Sequence, residues 1–135
     1  MTPPAVVEER LTRVLAGWAV ASVAVGAALS ASPRTRGLGR QTAAWGAVDG
    51  AIAWVGARNR ARRGPTDPAR LRRVLLVNAA LDVGYLAAGA ALLRSDRWRG
   101  DAVAVLVQGG FLLVLDSVTA AALPAHAPHA HAQTP

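Results

Sequence analysis

Apolar residues along this chain fall into four long blocks, parted by short stretches rich in arginine. The blocks cover about 14–31, 41–57, 74–93 and 102–123. Runs of that length suit helices that cross hydrocarbon, so the pattern predicts four transmembrane helices. The most informative stretch is Leu75–Leu93, LLVNAALDVGYLAAGAALL. Its polar residues Asn78, Asp82 and Tyr85, with Gly89, stand at i, i+4, i+7 and i+11, one face of one helix. The second block, QTAAWGAVDGAIAWVGA, is the weakest, being rich in Ala and Gly with Asp49 at its centre. A central Asp costs about 2.5–3.5 kcal/mol on insertion, and Ala offsets little of it. This helix is expected to enter the bilayer only as half of a hairpin with its predecessor. The fourth block carries Gln108, Asp116 and Thr119 and ends at Pro124.

Punctuation between the blocks is consistent with that reading. Thr2 or the pair Pro3-Pro4 can open a helix, since Pro is tolerated in a first turn. Ser32–Arg40 reads as a short loop. Arg58–Arg73 reads as a basic connection, with a turn at Gly64-Pro65 and with Asp67-Pro68 as N-cap and first residue of the next helix. Arg94–Gly100 is a third loop, and its Trp98 suits the headgroup layer. Residues 1–124 are thus expected to form one four-helix domain, with 125–135 a disordered Ala, Pro and His tail. For the first block a cleavable signal peptide is the competing reading, with Ala28 and Ser30 as small residues near a cleavage point. The block is longer than a signal core, so an uncleaved span is the expectation.

Small residues point to close helix packing. Ser22, Gly26 and Ser30 recur at every fourth position, and Gly46 and Gly50 form a GxxxG pair; Gly89 is a further candidate. A repeat is also visible. Gln41 precedes Asp49 by eight positions, and Gln108 precedes Asp116 by eight. The same offset lays Gly17-Trp18 on Gly84-Tyr85 and Ser22 on Gly89. The expected architecture is all-α: a four-helix transmembrane bundle built as two tandem hairpins, related by an axis along the membrane normal.

Composition narrows the chemistry. Hydrophobic residues make up 53% of the chain, and mean hydropathy is +0.29. There is no cysteine, which excludes disulfides, thiolate metal sites and thiol redox chemistry. All 15 basic residues are arginine against 8 acidic ones, a net charge of +7. Those arginines sit in the gaps between apolar blocks, as membrane topology requires, so a nucleic-acid partner is not expected. Nine fall in the N-terminal segment and middle connection, six in the two other loops. The positive-inside bias then places both termini in the cytoplasm of a cytoplasmic (inner) membrane protein.

Three acids, Asp49, Asp82 and Asp116, lie inside apolar blocks. With successive helices antiparallel they could converge near mid-membrane, joined by Asn78 and Tyr85 from one block and Gln108 from another. Three ionised carboxylates in one dry cluster would repel, so at least one is expected to be neutralised. One reading is a site for a proton, an ion or a polar small molecule between the helices. The other is a hydrogen-bond network that fixes helix packing or docks a partner helix. An intramembrane enzyme using paired aspartates is a third and weaker reading. Neither HExxH nor GxSxG occurs, so no catalytic residue is assigned and no enzyme is expected. No cofactor is implied, nor a metal site; His126, His129 and His131 of the tail are read as inert. Expected partners are the lipid bilayer and either a second copy or another membrane protein.

The segments QTAAWGAVDGAIAWVGA, LLVNAALDVGYLAAGAAL and GDAVAVLVQGGFLLVLD together resemble a small uncharacterised family of bacterial four-span membrane proteins. The likeness extends from Trp18 to Asp116 and is most specific in VNAALDVGY and QGGFLLVLD. It implies a four-helix membrane fold, and it brings no established activity, cofactor or catalytic residue. Members tend to carry Asn in place of Asp49 and a His-Gln pair in place of Arg40-Gln41. The resemblance therefore implies that a charge at Asp49 is not required by the family.

Overall fold

The computed structural model describes residues 2–125, and among these it contains four α-helices and no strand. They are α1 (Pro4–Ser30), α2 (Arg36–Arg63), α3 (Pro68–Leu92) and α4 (Arg99–Ala121). The expected tail, 125–135, lies outside the described residues beyond Ala125, its three histidines included. Prolines mark the boundaries: Pro4 and Pro68 occupy first turns, where a missing N–H costs nothing. Asp67 caps α3, its carboxylate accepting from the Arg70 amide at 2.8 Å. Gly64 ends α2 at φ 79°, a left-handed conformation open to glycine.

Helices overrun the apolar blocks. Arg36–Arg40 and Arg58–Arg63, read from the sequence as loop, belong to α2, and α1 reaches back to Pro4. Arginine is a good helix former, and Arg60, Arg62 and Arg63 sit in the last turn, where the helix dipole favours positive charge. Charge marks where a hydrophobic block stops, which is not where the helix stops. α1, α3 and α4 are long and apolar enough to cross a membrane. α2 falls short of that hydropathy because Ala, Gly, Asp49 and arginines take the place of larger aliphatic residues.

α1 packs on α2 along its length and α3 on α4, and the two hairpins meet chiefly through α2 on α4. The α1–α2 seam is a contact of backbones. A Cβ on Gly26 would stand 2.6 Å from the Gly39 carbonyl oxygen, and one on Gly46 would stand 2.7 Å from the Ser22 Cβ. Gly39, in the stretch expected to be loop, matters as much to this seam as Gly46. Gly50 has more room, with Ala19 Cβ at 3.5 Å. Gly89 faces Leu106 at 3.1 Å on the other hairpin's seam.

Burial in this bundle is the reverse of a water-soluble core. The largest side chains buried almost completely are Gln108 and Asp49, and the other buried groups are mostly Ala, Gly, Ser and Thr. Meanwhile Val20 is 71% exposed, Val118 65% and Val114 62%, with Ile52, Val77, Leu81 and Val83 also outward. Water-soluble chains bury such residues and seldom expose them together. Val7, Leu75, Ala120 and Leu123 form a small apolar cluster that gathers both ends of the chain beside the start of α3. At the opposite end the first turns of α2 and α4 meet, Gly100 against Leu38.

Gly26→Ala is expected to destabilise the detergent-solubilised protein by about 1–3 kcal/mol, the usual cost of forcing volume into a packed interior. Gly50→Ala should shift it by less than about 0.5 kcal/mol. Thermal unfolding of both variants beside the parent checks the order, and equal melting temperatures would remove close approach as what sets the seam.

Candidate functional site

One seam of the bundle stays open. Between α2 and α3 runs a cavity of about 440 Å³, with α1 and α4 contributing its floor. Its α2 wall extends from Trp45 to Asn59, about 21 Å of helix at 1.5 Å per residue. Four levels follow one another along that length. Glu8, Asn59 and Thr66 form a polar rim at the end that holds the start of α1 and the end of α4. Leu11, Leu15, Ile52, Leu71 and Leu75 make an apolar collar. Asp49, Asn78, Asp82 and Asp116 form an acidic level, and Trp45 and Tyr85 close the far end.

Helical spacing accounts for the placement. Asp49 lies one turn from Trp45 on α2; Asn78, Asp82 and Tyr85 succeed one another on α3, as their i, i+4, i+7 spacing requires. Asp49 and Asp82 are buried, 1% and 4% exposed, and each has one carboxylate oxygen, Oδ2, without a hydrogen-bond partner. Asp116 is buried as well and has Asn78 beside its carboxylate. All three acids line the same cavity. No arginine lines the cavity, so its acidic side chains have no basic partner among the lining residues. Tyr85 is half exposed and meets Trp45 edge-on, ring centroids 5.5 Å apart and planes at 74°.

Gln108 stands apart from this group. Its Oε1 accepts from the Trp18 indole N–H at 2.6 Å, and its Nε2 donates to Ser22 Oγ at 3.1 Å. Trp18 in turn stacks flat on Phe111, with centroids 3.9 Å apart. Gln108 thereby ties α4 to α1. The sequence joins Gln108 to the acids because depth along a helix is legible there; its rotation toward α1 is not. The expected repeat pairs Trp18 with Tyr85. On one seam the Trp reaches across and is bonded; on the other the Tyr packs on Trp45, and the groove stays open.

Glu8 is the residue that sequence reasoning passed over. It is buried at the rim, where Oε1 accepts from Thr66 Oγ1 at 2.7 Å and Oε2 from the Thr66 amide at 3.0 Å. Arg60 reaches Thr12 at 3.2 Å beside it. Glu8 sits before the first apolar block, among exposed charges, and only its position three residues from Leu11 hinted at an inward face.

A model of a family of unknown function, DUF6992, matches residues 14–117. The chain belongs to the DUF6992 family. No curated protein and no solved structure matches it. The DUF6992 match takes in every residue of the acidic level, the aromatic pair and Gln108, and it leaves Glu8 outside. The acidic level thus belongs to the matched DUF6992 stretch, whereas the Glu8–Thr66 contact brings in a residue from beyond it.

Gln108→Leu is expected to strip partners from Trp18 and Ser22 and to cost about 1–2 kcal/mol of stability, the scale of interhelical hydrogen bonds in apolar surroundings. A double-mutant cycle with Trp18→Phe, read by thermal unfolding, should return a coupling of about 0.6–1.7 kcal/mol. Additive losses would mean that the two side chains act independently.

Proposed function

We propose that this DUF6992 protein is a four-helix integral protein of the cytoplasmic membrane that handles a proton, an ion or a polar small molecule at Asp49, Asp82 and Asp116. The membrane part of the reading is supported by the inverted burial and by the rims of the bundle. Arg58 lies over the Trp54 ring at 5.2 Å and Arg97 over Trp98 at 5.1 Å, with both indoles exposed. Aromatic and basic pairs of this kind suit the two headgroup layers. The excess of arginine at the end bearing the start of α1 and the α2–α3 connection orients that end to the cytoplasm.

The observation that carries the functional part is the pair of buried Oδ2 atoms on Asp49 and Asp82 without partners. A buried acceptor left unpaired costs about 1–3 kcal/mol, and a cost of that kind at the wall of a cavity is accounted for if something else occupies it. In this reading Asp49, Asp82 and Asp116 accept the cargo, Asn78 holds Asp116 in place, and the Glu8–Thr66 contact bounds the cavity at its cytoplasmic end. Gln108, fully partnered, favours a second role for the polar residues: it fixes helix packing. An accessory subunit docking a partner helix is the alternative for the protein as a whole.

Reconstituted in liposomes with a luminal pH dye, the parent protein is expected to carry a proton or cation flux that Asp82→Asn and Asp116→Asn abolish while melting temperatures stay within a few degrees. A silent parent, together with variants that only lose stability, would favour the accessory role. Orientation can be read separately because the chain has no cysteine. Arg62→Cys should react with an impermeant maleimide only in inverted vesicles and Arg97→Cys only in right-side-out cells; the opposite pattern would reverse the topology.

A further inference from the structure

We infer that the cavity between α2 and α3 takes a small amphiphilic organic cation, with its charged head among Asp49, Asp82 and Asp116 and its apolar body along Leu15, Ile52, Val74 and Leu75. The inference rests on the functional reading above and narrows it to one class of ligand. Charge gives the sign. Four carboxylates line the cavity and no arginine does, in a chain with 15 arginines and a net charge of +7. An anion would find only repulsion there, and a zwitterionic lipid headgroup would find nothing to pair with its phosphate.

Size and wall chemistry fit a larger cation better than the simpler ones. Among the described residues no three acidic or histidine side chains come together closely enough to hold a metal ion. A metal needs several oxygens at about 2.0–2.6 Å, and these carboxylates are spread over three helices around a larger space. A bare proton needs neither a volume of 440 Å³ nor an apolar collar. Pockets of about 300–1,000 Å³ with apolar walls and a few converging polar groups are the usual seats of small organic ligands. The aromatic pair completes the match, since Trp45 and Tyr85 stand one turn from Asp49 and Asp82 and offer π-faces to a cationic head.

The side of the cavity shows how the ligand arrives. Val48, Ile52, Val74 and Leu81 line it and are also about half exposed on the apolar exterior. The groove is thus continuous with the surface that meets lipid. A molecule with an apolar body can partition into the bilayer and slide in from the side. The carboxylates then exchange their mutual repulsion for a countercharge, in surroundings where such pairing is strong.

The test uses the full chain in lipid nanodiscs, titrated with benzyltrimethylammonium and with its uncharged isostere neopentylbenzene. Calorimetry and tryptophan emission are the readouts. Saturable binding of the cation, at least tenfold tighter than the isostere, is expected. Asp82→Asn should weaken it at least tenfold and Trp45→Leu roughly three- to tenfold, while Trp98→Phe, at the far rim, should leave it unchanged. Equal binding of the isostere would overturn the inference and make the groove a seat for hydrocarbon; this comparison needs no variant to fold. No binding of the cation by a parent whose proton or ion flux disappears in Asp82→Asn would overturn the inference and leave the broader reading intact. No binding and no flux would overturn both.

Discussion

The bundle depends on one constraint: its large aliphatic side chains face outward, so they cannot hold it together by leaving water. Cohesion must come from dispersion between closely approaching backbones and from hydrogen bonds between helices. The α1–α2 seam supplies the first, where Gly26, Gly39 and Gly46 remove the side chains that would keep the helices apart. The Trp18–Gln108–Ser22 set supplies the second. Even the weakest helix by hydropathy, α2, is central in packing, because Ala and Gly make it both a poor span and a good neighbour. Its contacts with α1 and α4 join the two hairpins.

The same constraint explains why polar residues divide into two kinds. Where a polar group finds a partner on the next helix, it closes a seam; Gln108 does this with both ends of its amide. Where the partner is missing, as for the Oδ2 atoms of Asp49 and Asp82, the seam does not close and a cavity remains. Trp18 reaches Gln108 and stacks on Phe111, whereas Tyr85 packs on Trp45 at the cavity wall. One closed seam and one open one leave a packed side and a cavity in the same bundle. The acids lie on helices and not on loops, so their spacing is set by the bundle itself.

Glu8 and Thr66 extend the arrangement to the rim. A connection of four residues, 64–67, has to cross from α2 to α3, and the left-handed Gly64 turns it inward. Thr66 then gives its amide and hydroxyl to Glu8. This joins the first turns of α1 to the one place where the two hairpins are covalently linked. The cavity is thereby bounded at its polar end by hydrogen bonds and at its other end by aromatic rings.

Sequence alone determined the number of helices, their order, the weakness of the second and the depth of each polar residue. Those follow from block lengths and from a fixed rise per residue. It also placed Asn78, Asp82, Tyr85 and Gly89 on one face, because helical period is local. It misjudged helix ends, since arginine ends a hydrophobic run without ending a helix. Only the tertiary structure decided rotation: that Gln108 turns toward α1 and away from the acids, that Gly39 and not Gly50 lies at the tightest approach, and that Glu8 points inward. Rotation is fixed by which neighbour a helix face meets, and in an Ala- and Gly-rich chain several faces look alike until the helices have packed.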